Sequence, residues 1–176
     1  FMLKEIHEQP QVLKRLLSSG LKEIRSFSFP KKISSIVIVA CGTAYHAGLV
    51  GKYIIESLAR LPVTVDLSSE FRYRDPIVTQ DTLVIAVSQS GETADTLAAV
   101  REARSKGAKI VSICNVVGSS LTRESDKVFY TLAGPEIGVA STKAYTAQLA
   151  VFYMLGLEFA LCRRMISGAA VKKSLN

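Results

Sequence analysis

The stretch Val84-Ile85-Ala86-Val87-Ser88-Gln89-Ser90-Gly91-Glu92-Thr93-Ala94-Asp95-Thr96-Leu97 (84–97) decides the reading of this chain. An apolar, β-branched run ends abruptly in three hydroxyls and a glycine, and a helical pattern follows at once. The run "TLVIAVS" (82–88) has no alternation, so it predicts a strand covered on both faces, as in a parallel sheet. "TADTLAAVREARSKG" (93–107) predicts a helix with basic residues in its last turns and Gly107 as its stop. The junction therefore lies at the carboxyl end of a strand and the amino end of a helix. Unpaired amides and the helix dipole favour an anion there. Gly91 leaves room for close approach to the backbone, and Ser88, Ser90 and Thr93 supply hydroxyl donors. The simpler alternative is an ordinary N-cap by Ser90, with Glu92 in the first turn. That alternative calls for one hydroxyl, not three around a glycine. A phosphate cradle without lysine also requires Glu92 to point away from it.

Outward from this junction the same alternation repeats. "SIVIVACG" (35–42), "PVTVDLSS" (62–69), "AKIVSICN" (108–115) and "KVFYTLA" (127–133) read as four more strands. Helices are expected at 43–59 and from about Ser141 to Arg164. Residues 3–27 read as an amphipathic helical arm interrupted by Pro10, which is expected to start a second helix. Ser26 to Lys32 reads as a connector carrying Pro30. The predicted fold is α/β: a three-layer, doubly wound, five-stranded parallel sheet in flavodoxin-like order, with helical arms at both ends. The expected organisation is an arm at 1–32, the α/β domain at 33–166 and a tail or linker at 167–176. Ligands in such sheets bind beyond the carboxyl ends of the strands, so the loops after each strand carry the candidates.

Composition narrows the function classes. The 176 residues suit one domain, with 48% hydrophobic and 21% charged residues and a net charge of +7. The basic residues are scattered rather than clustered, and no nucleic-acid partner is expected. Three cysteines without a Cys-x-x-Cys pair read as reduced, mostly buried thiols, and His7 and His46 have no metal spacing to them; no metal is expected. Ala144 to Cys162 is long and apolar, but Gln148 and Glu158 interrupt it, so a core or interface helix is expected rather than a membrane span. No signal peptide opens the chain, and a cytoplasmic location is expected. The start at Phe1-Met2 reads as a piece of something longer. A Walker loop is absent, because "GLVGKY" (48–53) has the wrong spacing, and Gly42 to Gly48 fails the dinucleotide fingerprint. A flavodoxin-like FMN carrier remains open. Its phosphate loop would follow the first strand, however, and this chain has no Trp to stack on a flavin.

Five motifs in order carry a resemblance: "CGTAYHAG" (41–48), "SSEFRYR" (68–74), "SQSGETADTL" (88–97), "CNVVGSSLTRESD" (114–126) and "EIGVASTKAYTAQL" (136–149). Together they resemble the sugar isomerase (SIS) domain family. The likeness is to the branch that makes glucosamine 6-phosphate from fructose 6-phosphate and glutamine; "MLKEIHEQP" (2–10) looks like the segment that opens its isomerase region. The resemblance implies that Ser88, Gln89, Ser90 and Thr93 hold the sugar phosphate. It implies that Thr43 and Ala44 contact the sugar and that Val139 and Ser141 line the same site. Position 44 is commonly Ser in the family, so a hydroxyl contact is lost here while a backbone contact survives. The resemblance implies no cofactor and no catalytic residue in this stretch. The acid–base groups belong to a second SIS half, and the glutaminase nucleophile to a separate domain. It further implies fructose 6-phosphate or glucosamine 6-phosphate as ligand and a homodimer formed through helices 43–59 and 141–164. His46 reads as solvent-facing or packed, Lys143 as a solvated residue at a helix start, and Arg72 and Arg74 as partners of Glu70 or of another chain. A non-catalytic SIS sugar-phosphate sensor is the other reading.

Overall fold

The computed structural model describes residues 1–26, 29 and 32–175. The expected connector around Pro30 falls largely outside the described residues. Five strands form one sheet: β1 (Ser35–Ala40), β2 (Val63–Leu67), β3 (Thr82–Ser88), β4 (Lys109–Cys114) and β5 (Lys127–Tyr130). Their order is β2-β1-β3-β4-β5, and every pairing is parallel. Ile38 sits between Val65 on one side and Ile85 on the other. All seven residues of β3 are buried, which is why its sequence shows no alternation.

Both faces are covered. On one side lie α1 (Met2–Ser26), α2 (Gly42–Ala59) and α6 (Lys143–Cys162). Ile36, Ile38, Leu83, Ile85 and Ile113 pack there against Val12, Leu16, Ile55, Phe152 and Leu155. On the other side lie α3 (Ser68–Phe71), α4 (Ala94–Ser105) and α5 (Ser120–Arg123). Val37, Val39, Val84, Ala86 and Ile110 meet Phe71, Ala99, Val100, Ala103 and Leu121. A last helix, α7 (Gly168–Leu175), follows α6. This is the three-layer doubly wound α/β fold expected from the sequence.

Two expectations are corrected, one of a helix and one of a strand end. Pro10 does not start a second helix: α1 runs unbroken through it. Proline removes one helical hydrogen bond, but burial of Val12, Leu16 and Ile24 against the body of the domain holds the helix together. The strand expected to reach Ser69 ends at Leu67, and Ser68 opens α3. The long apolar helix α6 meets the length and composition of a membrane span. It nonetheless packs inside the domain, with Phe152, Leu155 and Ala160 fully buried. Its approach to α2 is close: a Cβ added at Gly51 would lie 2.5 Å from the Phe152 ring, and one at Gly156 2.8 Å from Ile54 Cγ2. Much of the surface expected to face a second copy is therefore used within the chain.

Candidate active site

The chain passes from β1 to β2 on one side and to β3 on the other, so the sheet's switch point lies between β1 and β3. A cavity of about 280 Å³ opens there, beyond the strand ends. All eight residues expected to bind ligand line it: Thr43, Ala44, Ser88, Gln89, Ser90, Thr93, Val139 and Ser141. They come from three separate loops. Thr43 and Ala44 stand in the first turn of α2, Ser88 to Thr93 join β3 to α4, and Val139 and Ser141 lie between β5 and α6. Ala44 turns the absent hydroxyl of position 44 into a methyl on the cavity wall.

The loop after β3 is held by its own hydroxyls. Ser88 Oγ accepts a 3.0 Å hydrogen bond from the Gly91 amide and lies 3.1 Å from Thr93 Oγ1. Ser90 Oγ accepts from the Glu92 amide at 3.2 Å. Each acceptor hydroxyl keeps a proton to donate. Thr93, not Ser90, occupies the N-cap of α4, and its side chain makes no cap bond. The plain N-cap alternative for Ser90 is thereby corrected.

Glu92 points away from the cavity. Its Oε1 accepts from the Ser120 amide at 2.8 Å, and that hydrogen bond is the main reason its carboxyl titrates below the usual glutamate range. Gly91 has a different task from the one the sequence suggests. Its φ is +69°, and an added Cβ would overlap Ser119 Oγ and lie 2.8 Å from Cys114 Sγ. Its missing side chain makes room for the loop after β4, not for a ligand. The Leu121 amide donates to Gly91 O at 2.9 Å and the Asn115 amide to Gln89 O at 3.2 Å. The loop after β3 is thus braced from behind by residues 114–121.

The opposite wall is held by carboxylates. Glu136 Oε1 accepts from the Thr142 and Ala144 amides at 2.9 and 3.1 Å, and Oε2 accepts from Ser141 Oγ at 2.9 Å. It therefore caps α6 from within its own loop. Lys143 is not solvated, as its sequence position suggests. It is 4% exposed and donates to Glu8 Oε2 of α1 at 2.5 Å. His46 is exposed and lies edge-on to Tyr45, outside the cavity lining. Arg74 pairs with Asp66, not Glu70, while Arg72 stacks on the Tyr73 ring.

Sequence reasoning missed Cys41, Gly138 and Gln148, which also line the cavity. Gln148 is 3% exposed. Of the cysteines, Cys114 is buried, Cys41 half-buried and Cys162 exposed, so burial is less general than expected. Among the described residues no group of three metal-ligating side chains occurs.

A family model, the SIS domain, matches residues 31–157. This chain belongs to the SIS domain family. It is 61% identical over 169 residues to the glutamine–fructose-6-phosphate aminotransferase (isomerizing) of Clostridium tetani, covering 91% of this chain and 28% of that protein. The corresponding protein of Caldanaerobacter subterraneus subsp. tengcongensis is 56% identical over 180 residues, covering 97% of this chain and 30% of that one. The SIS chain thus spans less than a third of the length of these curated relatives. Among solved structures, the C-terminal domain of glucosamine-fructose-6-phosphate aminotransferase from Francisella tularensis superposes with a TM-score of 0.88 at 41% identity, covering 99% of this chain and 51% of that one. These likenesses do not favour the FMN-carrier or sensor readings.

Proposed function

We propose that this SIS domain is the sugar-phosphate-binding half of an isomerising glutamine–fructose-6-phosphate aminotransferase, taking fructose 6-phosphate or glucosamine 6-phosphate into the cavity at the switch point. The observation that carries the proposal is the convergence of three loops on that cavity, one of them a braced Ser88-Gln89-Ser90-Gly91-Glu92-Thr93 turn at the amino end of α4. The phosphate sits against this turn. Ser88, Ser90 and Thr93 donate hydroxyl hydrogen bonds, and the first-turn amides and dipole of α4 favour its charge. The sugar lies between the amino end of α2, at Thr43 and Ala44, and the wall formed by Val139 and Ser141.

The overall reaction joins ammonia from glutamine to the ketose carbon and moves a proton between adjacent carbons, which needs a general acid and base. Among the described residues that line the cavity, Glu136 is the one carboxylate, and both of its oxygens accept hydrogen bonds from the start of α6 and the residues before it. In this reading the SIS chain binds and orients the substrate, and the proton-transferring groups come from chain beyond these residues. The proposal includes a cytoplasmic homodimer, with the outer face of α2 as contact surface. Val50 and Tyr53 are exposed there, at 38% and 71%. Sedimentation as a monomer at high concentration contradicts that part.

Ser90→Ala tests the phosphate assignment. Loss of one hydrogen bond to a charged group should weaken fructose 6-phosphate binding by about 1–2 kcal/mol in a calorimetric titration. Unchanged affinity removes Ser90 from the clamp.

A further inference from the structure

The segment Lys4-Glu5-Ile6-His7-Glu8-Gln9 of α1 stands outside the site as drawn so far, yet three of its side chains hold the β5–α6 loop and the first turn of α6, and Glu5 meets the cavity-lining Gly138. Glu5, Glu8 and Gln9 are spaced i, i+3, i+4 and so share one face of the helix. Glu5 is 4% exposed although it lies in the first turn of a terminal helix. Its Oε1 accepts from the Ile137 amide at 2.6 Å, and its Oε2 accepts from the Gly138 amide at 3.1 Å. Glu8 takes the buried ammonium of Lys143, and Gln9 Oε1 accepts from Thr146 Oγ1 at 2.6 Å. These contacts run in order along the β5–α6 loop and into the first turn of α6.

Gly138 shows that the fit at Glu5 is close. A Cβ at that position would stand 2.6 Å from Glu5 Oε2, so a side chain there would press on the carboxylate that meets both amides. Gly138 and its neighbour Val139 line the cavity. Val139 itself is fully exposed, with no packing of its own to fix it. The position of this wall therefore depends on what holds its backbone. Glu136 holds the end nearest α6, and Glu5 holds the middle.

We infer that Glu5 is a positioning residue for the sugar side of the cavity, acting through the Ile137 and Gly138 amides to place Val139 and Ser141 against the ligand. The inference rests on the proposed function for the identity of that ligand. The phosphate-side turn has separate supports in residues 114–121, so the two walls respond separately to mutation. The carboxyl of Glu5 is held below the usual glutamate range first by the Ile137 amide, against the opposing effect of burial. The charged form is thus the one the loop requires. Glu5→Gln keeps the size of the side chain but leaves one of the two amides facing a carboxamide NH₂.

The test compares the full wild-type chain with Glu5→Gln and Gly138→Ala by amide hydrogen exchange and by titration with fructose 6-phosphate and inorganic phosphate. In Glu5→Gln, exchange at Ile137 and Gly138 should accelerate while that at residues 88–93 stays constant. Fructose 6-phosphate affinity should fall about tenfold, as for one lost charge-assisted hydrogen bond, with inorganic phosphate affinity unchanged. Gly138→Ala, which presses on the same contact without altering charge, should show the same split. Unchanged exchange at 137–138, unchanged sugar-phosphate affinity, or equal loss of both ligands overturns the inference. A wild-type chain that binds neither ligand refutes the proposed function instead, and the exchange data then judge the clamp alone.

Discussion

Gly91→Ala should be among the most damaging single-methyl additions in this domain. Two costs add. Position 91 has a φ of +69°, where an L-residue loses about 1–2 kcal/mol. The new Cβ would also lie 2.7 Å from Ser119 Cβ and 2.8 Å from Cys114 Sγ, both buried. Overpacking of this kind costs about 1–3 kcal/mol. The sum, about 2–5 kcal/mol, corresponds to a Tm lower by about 4–20 °C for a chain of this size. Thermal unfolding followed by circular dichroism measures it. The double variant Gly91→Ala, Ser119→Gly separates the two costs. Removing the Ser119 side chain should recover much of the overpacking part and none of the backbone part, relative to Ser119→Gly alone. Fructose 6-phosphate binding should weaken in Gly91→Ala, because the turn shifts off its brace. A Tm within about 2 °C of wild type would refute the reasoning at its base. Full recovery in the double variant would show that the backbone conformation carries no cost.

Three further outcomes follow from the geometry. Gly51→Ala puts a methyl 2.5 Å from the Phe152 ring and should destabilise the α2–α6 contact by about 1–3 kcal/mol in denaturant unfolding, less the gain in helix propensity. Glu8→Gln should lower Tm more than Lys143→Met, because it strands a buried ammonium whereas methionine removes the charge altogether. The carboxyls of Glu5, Glu8 and Glu92 are all held below the ordinary 4.5, chiefly by hydrogen bonds that favour their charged forms. Their contribution is present above 4.5 and is lost as pH falls through the depressed values. Tm should therefore decline below about pH 4.5, and by less in Glu5→Gln, when measured from pH 7 to pH 3.

The sheet was legible because burial on both faces leaves unbroken apolar runs. The strand 82–88 matches β3 residue for residue, and the site followed from asking what lies beyond the ends of such strands. What stayed hidden is held by contacts distant in sequence. Nothing near Lys143 reveals that Glu8 neutralises it from 135 residues away, or that Glu5 takes the amides of 137 and 138. Pro10 misled because helix-breaking is a local penalty, while the packing of Val12 and Leu16 that overrides it is tertiary. Gly91 was rightly marked as special, but for the wrong neighbour. A sequence shows that a glycine is present and not which atoms crowd it.

The central claim is that the turn after β3 binds a phosphate carried on a sugar. The most direct measurement is a calorimetric titration of the chain with fructose 6-phosphate, with fructose as the control. The account predicts saturable heat with the phosphorylated sugar and none with fructose. Equal responses to the two sugars, or no binding of fructose 6-phosphate, would contradict it.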